Sequence, residues 1–428
     1  MFWSDRMFDM GRSFRSGLEN LERLPDRVFI WDETLRGGDQ TPGVSFTTRD
    51  KIDIATMMDD IGVSVIDAGF PIFGKEEREA IESLVNLGLK AEVGATVRTE
   101  REDVDAAIDC GVENIYMFST TSPLHLKYKY GINENEVQKR IHNALEYAVE
   151  RGLNVDFISE DTSRSNFDTV IDIITDAVEL GIRRIILCDT VSIMTPQSMY
   201  TMVSRIMDGL KKNMEERGIK REVPFGIHCH NDFGLATANT VAAVAAGVKY
   251  PTLAVNSLGD GSGNASMEEV VMILEKLYGT TTGMDTTGLY SLSKLVERRS
   301  GIYLSPQKPI SGLNSYRHES EVHVSGVLKN PQVYEPIQPE EVGRTREFVL
   351  GKHTGMTGLG IFLERLGIEA SDEQKAEILR RMRKEKAADT GEEVNSLFEH
   401  IERYARDSLS FPMKRLREIA LDVVGEKE

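Results

Sequence analysis

Cysteine is scarce in this chain, with three residues in 428: Cys110, Cys188 and Cys229. They are scattered in apolar contexts and form neither a Cys-x-x-Cys pair nor an even set. That excludes a disulfide framework and makes a reduced, cytoplasmic setting the expectation. Long apolar runs are missing as well, since none approaches the roughly 20 residues that span a bilayer. Residues 1–27 hold Trp3, Phe8, Phe14 and five arginines but no continuous apolar core, so no secretory signal is read there. Asp5, Asp9 and Glu19 speak against a transit-type segment. An N-terminal arm packing on a partner subunit is the expectation. Positive charge is in deficit, with 51 Lys and Arg against 69 Asp and Glu and a net charge of −18. So acidic a chain is a poor match for nucleic acid or an anionic membrane, and neither is expected as a partner.

What the chain has is regular alternation. Short β-branched runs predict strands over 28–35, 63–68, 91–97, 114–119, 154–159, 184–188, 224–230 and 252–256. The segments between them carry helical periodicity. Thr47 to Asp50 resembles a capping box, followed by Ile54, Met57, Met58 and Ile61 on one face. Phe167, Val170, Ile171, Ile174 and Ala177 repeat the pattern, as do Val241, Val244, Ala245 and Val248. Eight strands alternating with helices predict an α/β fold, a (β/α)8 TIM barrel over 28–280, with a doubly wound sheet as the alternative. Residues 281–428 read as a Pro/Gly-rich linker and a small, mainly helical C-terminal lid and dimerisation region, too polar to hold a large core alone.

The run His228-Cys229-His230-Asn231-Asp232 carries the chemistry. Residues i and i+2 of a strand share a face, so both imidazoles point one way while Cys229 points the other. Paired imidazoles suit a divalent metal. One catalytic or structural histidine beside a buried one is the competing explanation. In a barrel, chemistry gathers at the C-terminal ends of the strands. Arg36, Asp67, Ser119, Glu160, Asp161, Asp189, Thr190 and Asn256 to Asn264 all fall there, which favours a site. Farther on, His318, His323, Lys352 and His353 stand in polar segments read as loops. They suggest a lid, with loop capping as the alternative.

Several segments together resemble one family. They are Asp32-Glu-Thr-Leu-Arg-Gly-Gly-Asp-Gln-Thr-Pro-Gly43, Ile66-Asp-Ala-Gly-Phe-Pro71, Phe157-Ile-Ser-Glu-Asp161, Asp189-Thr-Val191, His228 to Ala236, Gly263-Asn-Ala265, His318-Glu-Ser320 with His323, and Leu350-Gly-Lys-His353. In order and content they resemble the 2-isopropylmalate, homocitrate and citramalate synthases, within the HMG-CoA-lyase-like metal-dependent barrels. The resemblance implies a Claisen-type condensation of acetyl-CoA, as co-substrate, with a 2-oxo acid. It implies a divalent ion (Zn, Mn or Mg) on His228, His230 and Asn264. It makes Arg36, Glu160, Thr190 and His323 the expected catalytic residues, and Gln40, Asp67, His125 and Asn231 the expected substrate contacts. It also implies a homodimer with the lid exchanged between subunits. The leucine-sensing domain of many relatives is not expected here. Leu126 stands where some homocitrate synthases carry an arginine for a distal carboxylate, which favours a monocarboxylic oxo acid.

The match breaks at one important place. The family carries an acidic metal ligand directly after the strand-1 arginine, and this chain has Gly37. The expectation is a weakened metal site, unless Asp39 folds back across the Gly37-Gly38 pair to replace the ligand. Ser192, the run Gly259 to Ser262, Glu321 and Ser325 also depart from the pattern. These changes leave two alternatives to the synthase: an aldolase or lyase with a changed metal site, or a non-catalytic paralogue.

Overall fold

The computed structural model describes residues 21–387, 391–409 and 411–424. Most of the expected N-terminal arm lies outside the described residues. Eight parallel strands close into a barrel in sequence order. They are β1 (Trp31–Asp32), β2 (Val65–Asp67), β3 (Glu92–Arg98), β4 (Asn114–Thr120), β5 (Asn154–Glu160), β6 (Arg184–Asp189), β7 (Phe225–Cys229) and β8 (Tyr250–Leu253). Asp32 pairs with Ile66 on one side and Leu253 on the other, which closes the ring. Around it run α1 (Thr48–Asp60), α2 (Lys75–Val85), α3 (Arg101–Asp109), α4 (Glu134–Glu150), α5 (Phe167–Leu180), α6 (Pro196–Arg217), α7 (Ala236–Ala245) and α8 (Met267–Ile273). The barrel is therefore the observed architecture, not the doubly wound sheet. The capping box at α1 is present, with Thr47 Oγ1 accepting from the Asp50 amide and Asp50 Oδ2 accepting from the Thr47 amide.

The barrel interior is packed, and its floor is built on a buried arginine. Trp31, Val65, Tyr116, Ile186 and Cys188 form one buried cluster. Below it, the Arg184 guanidinium lies over the rings of Trp31 and Tyr250, at 5.0 and 4.8 Å from their centroids. It donates to Asp156 at 2.9 Å and also pairs with Glu92. Space for these rings comes from glycine. A Cβ on Gly94 would press into the Tyr116 ring and lie 2.6 Å from the Asn114 carbonyl oxygen. Gly94→Ala is thus expected to destabilise the barrel by about 1–3 kcal/mol, the range for overpacking a core. Thermal melts should show the loss against Gly360→Ala, a position with open space ahead of it.

The chain divides into two compact units, Met1–Asp285 with Leu292–Ser300 and Thr286–Ser291 with Gly301–Glu428. The helix α9 (Leu289–Ser300) is shared between them. The second unit holds a two-stranded parallel sheet, β9 (Arg317–His318) with β10 (Glu347–Phe348). Its helices are α10 (Glu321–Lys329), α11 (Met356–Arg365), α12 (Asp372–Ala387), α13 (Glu392–Ser408) and α14 (Met413–Val424). Leu359, Leu363 and Leu379 make a small core between α11 and α12. Among the described residues no helix is long and apolar enough to cross a membrane.

Candidate active site

Strand β1 is shorter than its hydrophobic run because Asp32 ends it. The Asp32 carboxylate accepts the backbone N–H of Thr34 at 2.8 Å and the Thr34 hydroxyl at 2.8 Å, an Asx-type turn. The amides of Arg36 and Gly38 then both donate to the Glu33 carbonyl, at 3.2 and 3.1 Å. The spacing of residues 33–38 thus changes from strand to tight turn. Glu33, Arg36 and Gly37 become neighbours across that turn. Glu33 is buried at 1% exposure.

Arg36 sits between two carboxylates. Its Nε donates to Asp67 Oδ2 and its Nη2 to Glu33 Oε2, each at 2.8 Å. The Thr96 hydroxyl donates to the same Asp67 oxygen at 2.6 Å. Burial raises the Asp67 carboxyl above the usual aspartate value, and Arg36 only partly offsets this. Burial would raise Glu33 too, but the neighbouring His228 and Arg36 outweigh it and hold that carboxyl below its ordinary value. The second Glu33 oxygen, Oε1, lies 2.8 Å from His228 Nδ1 and accepts from Asn264 Nδ2 at 3.0 Å.

The imidazoles of His228 and His230 stand 4.9 Å apart at their centroids, on the same side of the barrel wall. His228 Nδ1 also meets the Thr252 hydroxyl at 3.1 Å. Burial and the adjacent His228 lower His230 to about 4, so its ring is neutral near pH 7. Cys229 faces outward toward Thr240 of α7. Asn264 is buried, and its Oδ1 has no hydrogen-bond partner. The Glu33–His228 contact turns two potential ligand groups onto each other. Accordingly, among the described residues no three His, Cys, Asp or Glu side chains converge as a finished metal cage.

A second wall, at the end of β5, carries a carboxylate held by lysine. Lys129 donates to both oxygens of Glu160, at 2.8 and 2.9 Å. His125 lies 3.6 Å from Glu160 and 3.8 Å from Asp161. The Thr190 hydroxyl accepts the Asp161 amide at 2.9 Å. Between the two walls is a cavity of about 290 Å³ that Glu33, Arg36, Asp67, Glu160, Thr190 and both histidines line, with Gln40 at its edge. Phe70, Phe118, Ile158 and Ile186 supply its apolar surface. Glu33 and Lys129 were missed by reading the sequence. Asp32 was the available signal for Glu33, because aspartate is depleted in strands and starts turns.

Other expected residues are engaged elsewhere. Asp39 does not reach the histidines: one oxygen accepts the Phe46 amide at 2.8 Å and the other faces Lys51 at 3.8 Å. The fold-back that would make it a metal ligand is therefore absent, because Gly37 is in the right-handed helical region and the turn continues. Asn231 accepts the Ala236 amide at 3.1 Å, tying the loop after β7 to the start of α7. His323 is in the second unit, on α10 rather than in a loop, with its ring 4.2 Å from that of Tyr334. His318 is on β9 and pairs with Glu335 at 2.9 Å. Two residues expected to depart from the family pattern have structural partners. Ser192 adopts φ 55°, a conformation that favours glycine, while its hydroxyl accepts the Asp232 amide at 3.0 Å. Glu321 accepts the amides of Thr357 and Gly358 at the start of α11.

A closed parallel barrel with an arginine, several carboxylates and a histidine pair at its C-terminal rim defines a (β/α)8 enzyme of the kind whose chemistry sits on that face. Comparison with known proteins supplies the family. Residues 27–296 match the family described as HMGL-like, and residues 310–392 match the homocitrate synthase post-HMGL domain-like family. The chain belongs to the HMGL-like family. It is 44% identical over 373 residues to 2-isopropylmalate synthase of Methanocaldococcus jannaschii, covering 86% of this chain and 70% of that protein. It is also 44% identical over 360 residues to a homocitrate synthase of Methanopyrus kandleri, covering 84% and 88%. The (R)-citramalate synthase of M. jannaschii is 42% identical over 356 residues, covering 83% and 70%. Among solved structures, HMG-CoA lyase of Bacillus subtilis shares the fold, with a TM-score of 0.55 at 21% identity over 65% of this chain and 95% of that one. The sequence relatives are synthases, so the lyase and non-catalytic alternatives are not favoured.

Proposed function

We propose that this chain joins the methyl carbon of an acetyl thioester to the keto carbon of a 2-oxo acid, then hydrolyses the thioester to free CoA and a 2-alkylmalate-type acid. The observation that carries this reading is the single cavity lined by Arg36, Glu160, Thr190 and the His228–His230 pair. The residues fit a divalent ion. Two imidazoles and the buried, unpartnered Asn264 Oδ1 are nitrogen and oxygen donors of the type that Zn, Mn or Mg takes. When bound, such an ion supplies Lewis-acid polarisation of a keto oxygen and a template for the oxo acid.

The chain's own groups do the rest. Glu160 is the carboxylate at the end of β5, on the same cavity as the histidines. It accepts a proton from the acetyl methyl, and Lys129 holds it in place. The resulting carbanion forms the new C–C bond while the keto π pair moves onto oxygen, where the Arg36 guanidinium offsets the charge until a proton from water gives the product hydroxyl. Water then cleaves the thioester. Thr190 orients the oxo-acid carboxylate. Both cations of the cavity are already paired, Arg36 with Glu33 and Asp67, Lys129 with Glu160. With no free cation for a distal carboxylate among the described residues that line it, and with Phe70, Phe118 and Ile186 on its wall, the cavity suits a monocarboxylic oxo acid. The test is thiol release from acetyl-CoA across a panel of mono- and dicarboxylic 2-oxo acids. CoA should appear only when an oxo acid is present, and fastest with a monocarboxylic one. Release that ignores the oxo acid would refute the condensation.

A further inference from the structure

Position 37 poses a chemical problem: two imidazoles and an amide bring no negative charge to a divalent ion, and Gly37 offers none. Glu33 resolves it. The turn after β1 brings residues 33 and 37 together, with the amides of Arg36 and Gly38 both donating to the Glu33 carbonyl. A Cβ built on Gly37 would lie 3.3 Å from Asn264 Nδ2 and 3.6 Å from the carboxyl carbon of Glu33. The Glu33 carboxylate therefore occupies the region that a short side chain at 37 would enter. It is buried, contacts His228 at 2.8 Å and Asn264 at 3.0 Å, and is held from behind by Arg36.

We infer that Glu33 supplies the acidic ligand of this site in place of position 37, the carboxylate having moved one turn upstream. The inference rests on the metal reading above. A longer side chain from the earlier position reaches the same point that a shorter one would reach from 37. The glycine is then a requirement and not a loss, because a second carboxylate there would crowd Asn264 and repel Glu33. Glu33, His228, His230 and Asn264 would hold the ion once the Glu33–His228 hydrogen bond opens to admit it.

The test is titration of Co2+ into the chelator-stripped full chain, followed by calorimetry and by the visible absorption of the bound ion, for four proteins. Wild type is expected to bind one ion per chain. Glu33→Gln keeps the size of the side chain but loses the charge and one acceptor oxygen. It should bind more than about 100-fold more weakly, beyond the roughly 10–100-fold that losing an outer hydrogen-bond partner costs. Gly37→Asp alone should bind no more tightly than wild type. The double variant Glu33→Gln/Gly37→Asp should recover most of the lost affinity. Equal binding by Glu33→Gln and wild type would overturn the inference and leave the metal reading standing. No binding by wild type would overturn the metal reading itself. A double variant that melts like wild type but binds no better than Glu33→Gln would refute the equivalence of the two positions.

Discussion

Arg36→Ala is expected to reduce turnover by at least about 10²–10³-fold, the cost of removing one preorganised donor to a developing oxyanion. It should also weaken the fold. The guanidinium lies between Glu33 and Asp67, which are 2% and 1% exposed at their side chains. Removing one member of a buried ion pair costs about 3–5 kcal/mol, because the partner charge is stranded. The direction with pH follows from Asp67. Its carboxyl is already raised by burial despite Arg36, and removing the arginine raises it further. A carboxyl raised in the folded state binds its proton more readily there than in the unfolded chain. Its unfavourable contribution is therefore full above the raised folded value and fades as pH falls toward the ordinary aspartate value. The melting temperature of Arg36→Ala should approach that of wild type as pH is lowered through that window. A deficit that grows on acidification would contradict the stranded-carboxylate account. Arg36→Lys keeps the charge but not the fork that reaches both carboxylates, so it should restore stability better than turnover.

Arg184→Ala is the second large effect, and it falls on stability rather than on chemistry. The guanidinium closes the barrel floor against Asp156, which is fully buried, and covers two aromatic faces. Its loss leaves Asp156 with Arg183 alone, which donates to it at 3.1 Å. A loss of about 3–5 kcal/mol is expected, read as an early thermal transition. The double variant Arg184→Met/Asp156→Leu should lose less than the sum of the single variants, since it removes the pair and leaves no orphaned charge. Glu92 keeps Arg183 as its partner in that variant, at 2.9 Å. Full additivity would mean that the two groups do not act as a pair.

Much of the barrel can be read directly from the residue pattern, and the exceptions have physical causes. All eight strands form where β-branched runs predict them, but β8 begins at Tyr250 and stops at Leu253, earlier than expected. The reason is the turn at Asn256, which takes φ 61° and bonds Ser293 of α9. Such a contact leaves no mark in local periodicity. His228, His230 and Arg36 are recognisable from spacing and position at strand ends. Glu33 is not, because a strand continued to residue 35 sets it some 13 Å from position 37 at about 3.3 Å per residue. Asp39 drew attention as the nearest spare carboxylate in sequence, but the amide of Phe46 and the charge of Lys51 turn it away.

Periodicities of two and of 3.6 are properties of a few adjacent residues. The order of the elements, the barrel class and the histidine pair therefore follow from the chain alone. The acidic partner of those histidines depends on Glu33 meeting Asn264, 231 residues away. That meeting depends on barrel closure between β1 and β8 and on the turn that Asp32 imposes. Neither the closure nor the direction of a buried carboxylate is written in local pattern, and only the folded contacts bring Glu33 into the place where Gly37 provides nothing.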